Sequence, residues 1–174
     1  MRWTSTWHIL PAALAVILVA CQPVADRPDT SSEADVGTGC AGEAAICPGR
    51  PAAGGFALVA DGWGAASITD PDDAPGLLRA AGDLAEDLAA VSGQPVASGV
   101  EVAAGRAVIV GTLGGNGLID ALVAEGRLDV SGVDGVWEAY LHQVVDNPAP
   151  GIERALVIAG ADMRGAIYGV YDVS

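Results

Sequence analysis

The chain has 174 residues, 51% of them apolar and 17% charged, so its bulk is globular, and its 24 glycines follow no Gly-X-Y period, which excludes collagen. It carries eight Arg and no Lys against 22 acids, a net charge of −14. That field repels phosphate backbones and anionic membrane surfaces, so no nucleic-acid partner is expected, while neutral ligands, cationic ligands and a tethered position at a surface stay open.

Residues 1–20 read as an export signal. Arg2 supplies the positive start, and Ile9 to Ala20 is an apolar run broken only by Pro11. The run is too short to cross about 30 Å of hydrocarbon as a helix. Its end, Leu18-Val19-Ala20-Cys21, resembles the bacterial lipobox, which implies cleavage before Cys21 and lipidation of its sulfur. Plain secretion and a buried apolar segment are the alternatives. Gln22, by resemblance to Gram-negative lipoproteins, favours outer-membrane sorting. The expected location is therefore exported, as an outer-membrane or cell-surface lipoprotein, or else periplasmic or secreted. The membrane is met through the lipid anchor only.

Residues 21–54 read as a disordered tether. They hold four prolines among Asp, Ser, Thr and Gly, with no apolar period. With Cys21 lipidated, Cys40 and Cys47 remain in an oxidising compartment, and a disulfide between them is the favoured reading. Two Cys without nearby His do not complete a zinc site, so no metal and no cofactor are expected.

Residues 55–174 make one domain. Phe56–Ala60 and Ala65–Thr69 read as strands around the hairpin signal Asp61-Gly62-Trp63-Gly64. A helix follows, with Asp72 and Asp73 as caps and Pro75 in the first turn. Leu77, Leu78, Ala81, Leu84, Leu88 and Val91 form its apolar face, and Gly93 and Pro95 stop it. Ala107–Val110 is a buried strand, and the glycine loop Gly111–Gly117 leads to a helix over Leu118–Glu125. Val136–Val145 reads as a long strand, Asn147–Gly151 as a turn, and Ala155–Ala159 as a second buried strand. The loop Gly160–Gly165 precedes a last helix from Ala166, whose pattern still runs where the chain stops, as a truncated helix would. The order predicts an α/β (α+β) class, a mixed sheet with helices packed on it.

Motif chemistry narrows the function. The glycine loop lies between strand and helix, where phosphates are cradled, but a P-loop needs a Lys and the dinucleotide pattern fails at Asp120. It is a tight turn, or it borders some other ligand. His142 stands mid-strand without a nucleophile elbow, so it forms no triad. The carboxylates Asp72/Asp73, Asp83/Glu86/Asp87 and Asp134/Glu138 fit caps and a solvated helix face, and none makes a defensible catalytic pair. Trp63 at the hairpin tip could stack on a sugar, whereas Trp137 beside a strand fits a core. Arg154 and Arg164 are the groups best suited to meet a carboxylate, Asp162 being one candidate partner of Arg164. Asn116, Asp162 and Arg164 are the candidates to touch a ligand or a neighbouring domain, and the loops 111–117 and 160–165 are expected side by side.

Several stretches together resemble a known family. They are Phe56 to Gly62, Gly76 to Leu84, Val108 to Gly114 with Leu118-Ile119-Asp120, Trp137-Glu138-Ala139, and Gln143 to Pro148. Arg154 to Ser174 is the strongest, with Ala-Leu-Val-Ile-Ala-Gly, Asp162, Arg164-Gly165 and Ile167 to Asp172. In order and spacing they resemble the N-terminal domain of the xylan α-glucuronidases of glycoside hydrolase family 115. The resemblance implies a non-catalytic mixed α/β domain ahead of a TIM barrel that releases (4-O-methyl-)glucuronic acid from xylan with inversion. The barrel would hold the catalytic acids and meet the xylan-type polysaccharide, so this chain alone is expected to be inactive. Gly115-Asn116 stand where the family often has Lys-Ser, and Met163 where it often has Lys. The competing reading is a complete surface lipoprotein with a glycan-binding or structural role.

Overall fold

The computed structural model describes residues 49, 51, 53–100 and 105–174. The signal segment, nearly all of the tether, and Cys21, Cys40 and Cys47 lie outside the described residues.

A two-stranded hairpin comes first, β1 (Val59–Ala60) against β2 (Trp63–Gly64). Asp61 and Gly62 both take positive φ, 54° and 75°, as a tight hairpin turn needs. The partner of β1 thus lies within the expected turn, and the second expected strand, Ala65–Thr69, is not part of the hairpin. That strand is β3 (Ala66–Ile68), and it joins a separate five-stranded sheet with β4 (Ser98–Gly99), β5 (Arg106–Thr112), β6 (Tyr140–Ala149) and β7 (Ile152–Gly160). The strand order is β4-β3-β5-β7-β6; β6 is antiparallel to β7 and every other pairing is parallel.

Three helices cover the sheet: α1 (Pro75–Ser92), α2 (Gly117–Ala124) and α3 (Met163–Tyr171). Strand residues alternate between the faces, so β5 and β7 feed two cores. Val108, Val110, Leu156 and Ile158 pack with Leu77, Leu84 and Leu88 of α1 and Val170 of α3. Ile109, Val157 and Ala159 pack with Ile119 and Leu122 of α2, and with Leu128. Central parallel strands covered on both sides are continuous apolar runs, as Ala107–Val110 and Ala155–Ala159 are. Each fully buried Val or Ile there contributes about 1.5–3 kcal/mol. The mixed α/β class is the observed one.

Four local expectations change. Asp72 and Asp73 do not cap α1; its N-cap is Ala74, without a side-chain hydrogen bond. The buried stripe of α1 is Leu77, Ala80, Ala81, Leu84, Ala85 and Leu88, while Leu78 and Val91 are exposed. Alanines let the helix lie close to its neighbours, and that rotates the stripe away from the larger side chains at its margin. The long strand starts at Tyr140, because residues 130–139 form successive turns. The last helix starts at Met163, one turn earlier than its apolar pattern, because Asp162 caps it.

Candidate functional site

Parallel strands deliver their C-terminal ends to one edge, and loops there collect ligands in sheets of this kind. The ends of β3, β5 and β7 meet the start of antiparallel β6 at that edge. The expected neighbours are neighbours: Thr112 pairs with Gly160, and the Leu113 amide donates to the Gly160 carbonyl at 2.9 Å. Between the loops lies a cleft of about 310 Å³, lined by Asp72–Ala74, Thr112–Gly115 and Ala161–Met163. That volume is at the low end for a ligand site.

The β5–α2 side of the edge is closed. The chain order reverses between β3 and β5, the point where an open α/β sheet usually receives its ligand. Here the crevice is filled by Asn116, 2% exposed, and Asp73, 6% exposed. The Asn116 amide donates to Val110 O at 3.2 Å and to Asp73 Oδ2 at 3.3 Å, while its Oδ1 accepts from Ile119 N at 3.1 Å as the cap of α2. Gly111 permits this approach, since a Cβ there would stand 2.5–2.7 Å from the Asn116 side chain. Gly117 N donates to Asp70 Oδ2 and Gly114 N to Asp120 Oδ1. The amides that would hold a phosphate are thus engaged by the protein's own carboxylates. Burial raises the Asp73 carboxyl above its ordinary value, against the hydrogen bonds from Asp70 and Asn116.

The β7–α3 side is open, and its polar side chains are bonded to one another. Asp162 Oδ1 accepts from Gly165 N at 2.9 Å as the cap of α3, and Oδ2 accepts from Glu138 N at 2.8 Å. Those amide hydrogen bonds, Glu138 first, hold the Asp162 carboxyl below its ordinary value. Glu138 takes the left-handed region, φ 58°, which is uncommon outside Gly. Its carboxylate meets Arg164 Nη1 at 2.8 Å, so Glu138, not Asp162, is the ion-pair partner of Arg164. Arg164 Nη2 donates to Tyr168 Oη at 2.9 Å. The guanidinium lies 5.6 Å from the Trp137 ring centroid and 5.9 Å from that of Tyr168.

Trp137 is 76% exposed, which overturns its expected place in the core. The alternation that would turn it inward requires a strand. The turns around it, with Gly135 at φ 72° and Glu138 at φ 58°, set it outward instead. Trp63 is also exposed, at the hairpin tip.

The remaining candidates are occupied elsewhere. His142 on β6 places Nε2 2.8 Å from Gly169 O and Nδ1 3.8 Å from Asp172 Oδ2, tying the strand to the end of α3. Arg154, at the other end of the strands, pairs with Asp146. Asp83 and Asp87, read as a solvated helix face, accept from Tyr171 Oη and Ser174 Oγ and so hold the end of α3 against α1. A second cleft, about 530 Å³, lies at the opposite edge between Arg127, Asn147–Gly151 and Glu153. No cluster of three or more metal-ligating side chains occurs among the described residues, and no described helix is long and apolar enough to cross a membrane.

No family model matches the chain, and no curated protein matches it. A solved structure of a family GH115 4-O-methyl-α-glucuronidase, with specificity for decorated arabinogalactans, is a distant and partial neighbour. The two share 23% identity with a TM-score of 0.47, over 63% of this chain and 13% of that one. The chain thus spans about an eighth of that protein.

Proposed function

We propose that this chain is the N-terminal accessory domain of an exported glycoside hydrolase that releases (4-O-methyl-)glucuronic acid from xylan, anchored through a lipidated Cys21. The observation that carries the reading is the ordered run of family-115-like stretches from Phe56 to Asp172. The mixed α/β fold is compatible with it. The chemistry belongs to a barrel that these residues do not encode. An inverting hydrolase needs one carboxylic acid and one carboxylate about 6.5–9.5 Å apart, facing a sugar and a water. These carboxylates at the C-terminal edge of the strands are instead engaged by the domain: Asp162 caps a helix, Glu138 holds Arg164, and Asp73 is buried against Asn116.

The test is the reading frame beyond codon 174, followed by assay of its product on glucuronoxylan. A barrel in frame and release of glucuronic acid are the expected results, with none from the purified 174-residue chain. Release by this chain alone, or a product with a barrel but no glucuronidase activity, overturns the proposal.

A further inference from the structure

The most exposed aromatic side chain among the described residues stands beside an engaged guanidinium. Trp137 stands 76% exposed on a turn, with its ring near a guanidinium that is fixed at both ends. Arg164 is held by the Glu138 carboxylate on one side and the Tyr168 hydroxyl on the other. Glu138 is in turn held through its amide by Asp162, in a backbone conformation that costs on the order of 1–3 kcal/mol. This turn packs on the start of α3, where Gly165 leaves room for the Glu138–Ala139 backbone, and it presents Trp137 beside Arg164.

The geometry points to a binding platform for a neutral sugar ring at Trp137, Arg164 and Tyr168, with Glu138 at its rim. The chemistry selects this ligand class. An exposed indole offers a flat apolar face to the axial C–H groups of a pyranose. The half-exposed guanidinium beside it, engaged by Glu138 and Tyr168, keeps further N–H donors for the ring's hydroxyls. Charge selects within the class. Arg164 is already neutralised by Glu138 at 2.8 Å, and Asp162 adds a negative charge beside them. The whole chain carries −14. A uronate or phosphate would meet net negative charge, whereas an uncharged ring meets none of that repulsion. A protein partner fits less well, because the Arg164 guanidinium and the Asp162 carboxylate interrupt the apolar surface and an interface core is depleted of charge. The platform would thus hold the uncharged backbone of a polysaccharide and leave acidic substituents elsewhere. The inference rests on the proposed function only for the choice of xylan-type sugars as probes.

The test is titration of the full chain with xylohexaose, followed through the indole N–H signal that Trp137→Phe removes, and by calorimetry. Saturable binding is expected. Trp137→Ala should weaken it about tenfold or more, while Trp137→Phe retains part of it and Trp63→Ala all of it. Circular dichroism of each variant separates lost binding from lost folding. Three results would overturn the inference: no binding of xylohexaose, tighter binding of a glucuronate-bearing xylo-oligosaccharide at Trp137, or concentration-dependent self-association that Trp137→Ala abolishes. None of these bears on glucuronidase release by a longer product, so the two proposals fail separately.

Discussion

The β5–α2 and β7–α3 units are built on one plan and put to different uses. Each is a buried parallel strand, a short loop and an Asx-capped helix, and the strands pair along seven residues from Arg106↔Arg154 to Thr112↔Gly160. In the first, the cap residue Asn116 is pulled under the loop and bonded to Val110 and Asp73. In the second, the cap residue Asp162 stays at the surface, and its spare oxygen reaches across to the Glu138 amide. One loop is therefore a plug and the other a mount. A loop's position at the ligand edge of a sheet does not decide its role; what decides it is whether the polar groups are spent inward.

The largest effect that separates the units comes from their glycines. At Gly160 an added Cβ would lie 2.1 Å from Ala166 N, a backbone atom that cannot step aside. Gly160→Ala should cost about 3 kcal/mol or more in urea unfolding. Gly111→Ala first meets a side chain, that of Asn116, and should cost about 1–3 kcal/mol. Equal losses would mean that the two loops are packed alike.

Next comes the plug itself. Asn116→Ala removes a cap, takes a donor from the Val110 carbonyl and leaves the buried Asp73 carboxyl with the Asp70 amide alone, for an expected loss of about 2–4 kcal/mol. Xylohexaose binding by the folded fraction should be unchanged. A loss under 0.5 kcal/mol would show that Asn116 does not close the crevice.

The smallest effect lies in pH dependence, where the two edge carboxylates have opposite signs. Asp73 has a raised value in the folded state, so the folded protein holds its proton longer. Its contribution favours folding below about 3.9, the unfolded value, and is lost as pH rises through the raised folded value. Asp162 has a lowered value, so its contribution is present above about 3.9 and is lost as pH falls through the lowered one. Urea unfolding from pH 3 to 7 should show Asp73→Asn removing a decline toward neutral pH and Asp162→Asn removing a decline toward acid. Parallel profiles for the two variants would break the distinction.

The mount was less legible than the frame around it. The frame rests on apolar runs and helical spacing, and Val108–Val110, Leu156–Ile158 and the α1 leucines occupy the layers those patterns imply. What escaped depends on few residues or on backbone angles. β4 is two residues, Ser98–Gly99, recruited by pairing with β3 and carrying no pattern of its own. Trp137 sits in a stretch whose apolar residues resemble a strand, and only the positive φ at Gly135 and Glu138 turns it out. Glycine followed two residues later by Trp-Glu was the available sign of a turn. Asp162 before a helix was a legible cap, yet its second bond, to Glu138 across 24 residues, had no local trace. Asp73 looked like a cap because it precedes Pro75, but its oxygen was claimed by a residue 43 positions on.

The long strand β6 is one border of the five-stranded sheet. Ten residues of open strand at the margin of a sheet are a template on which another chain can add itself. The lower half is blunted. Pro148 has no amide to offer, the register slips between Asp146 and Ala149, and Arg127 donates to the Asp146 and Asn147 carbonyls. The upper half, Tyr140 to Val144, has no such proline or bulge. The unblunted part of this margin is thereby a few residues at one corner of the sheet, the corner that also carries Trp137.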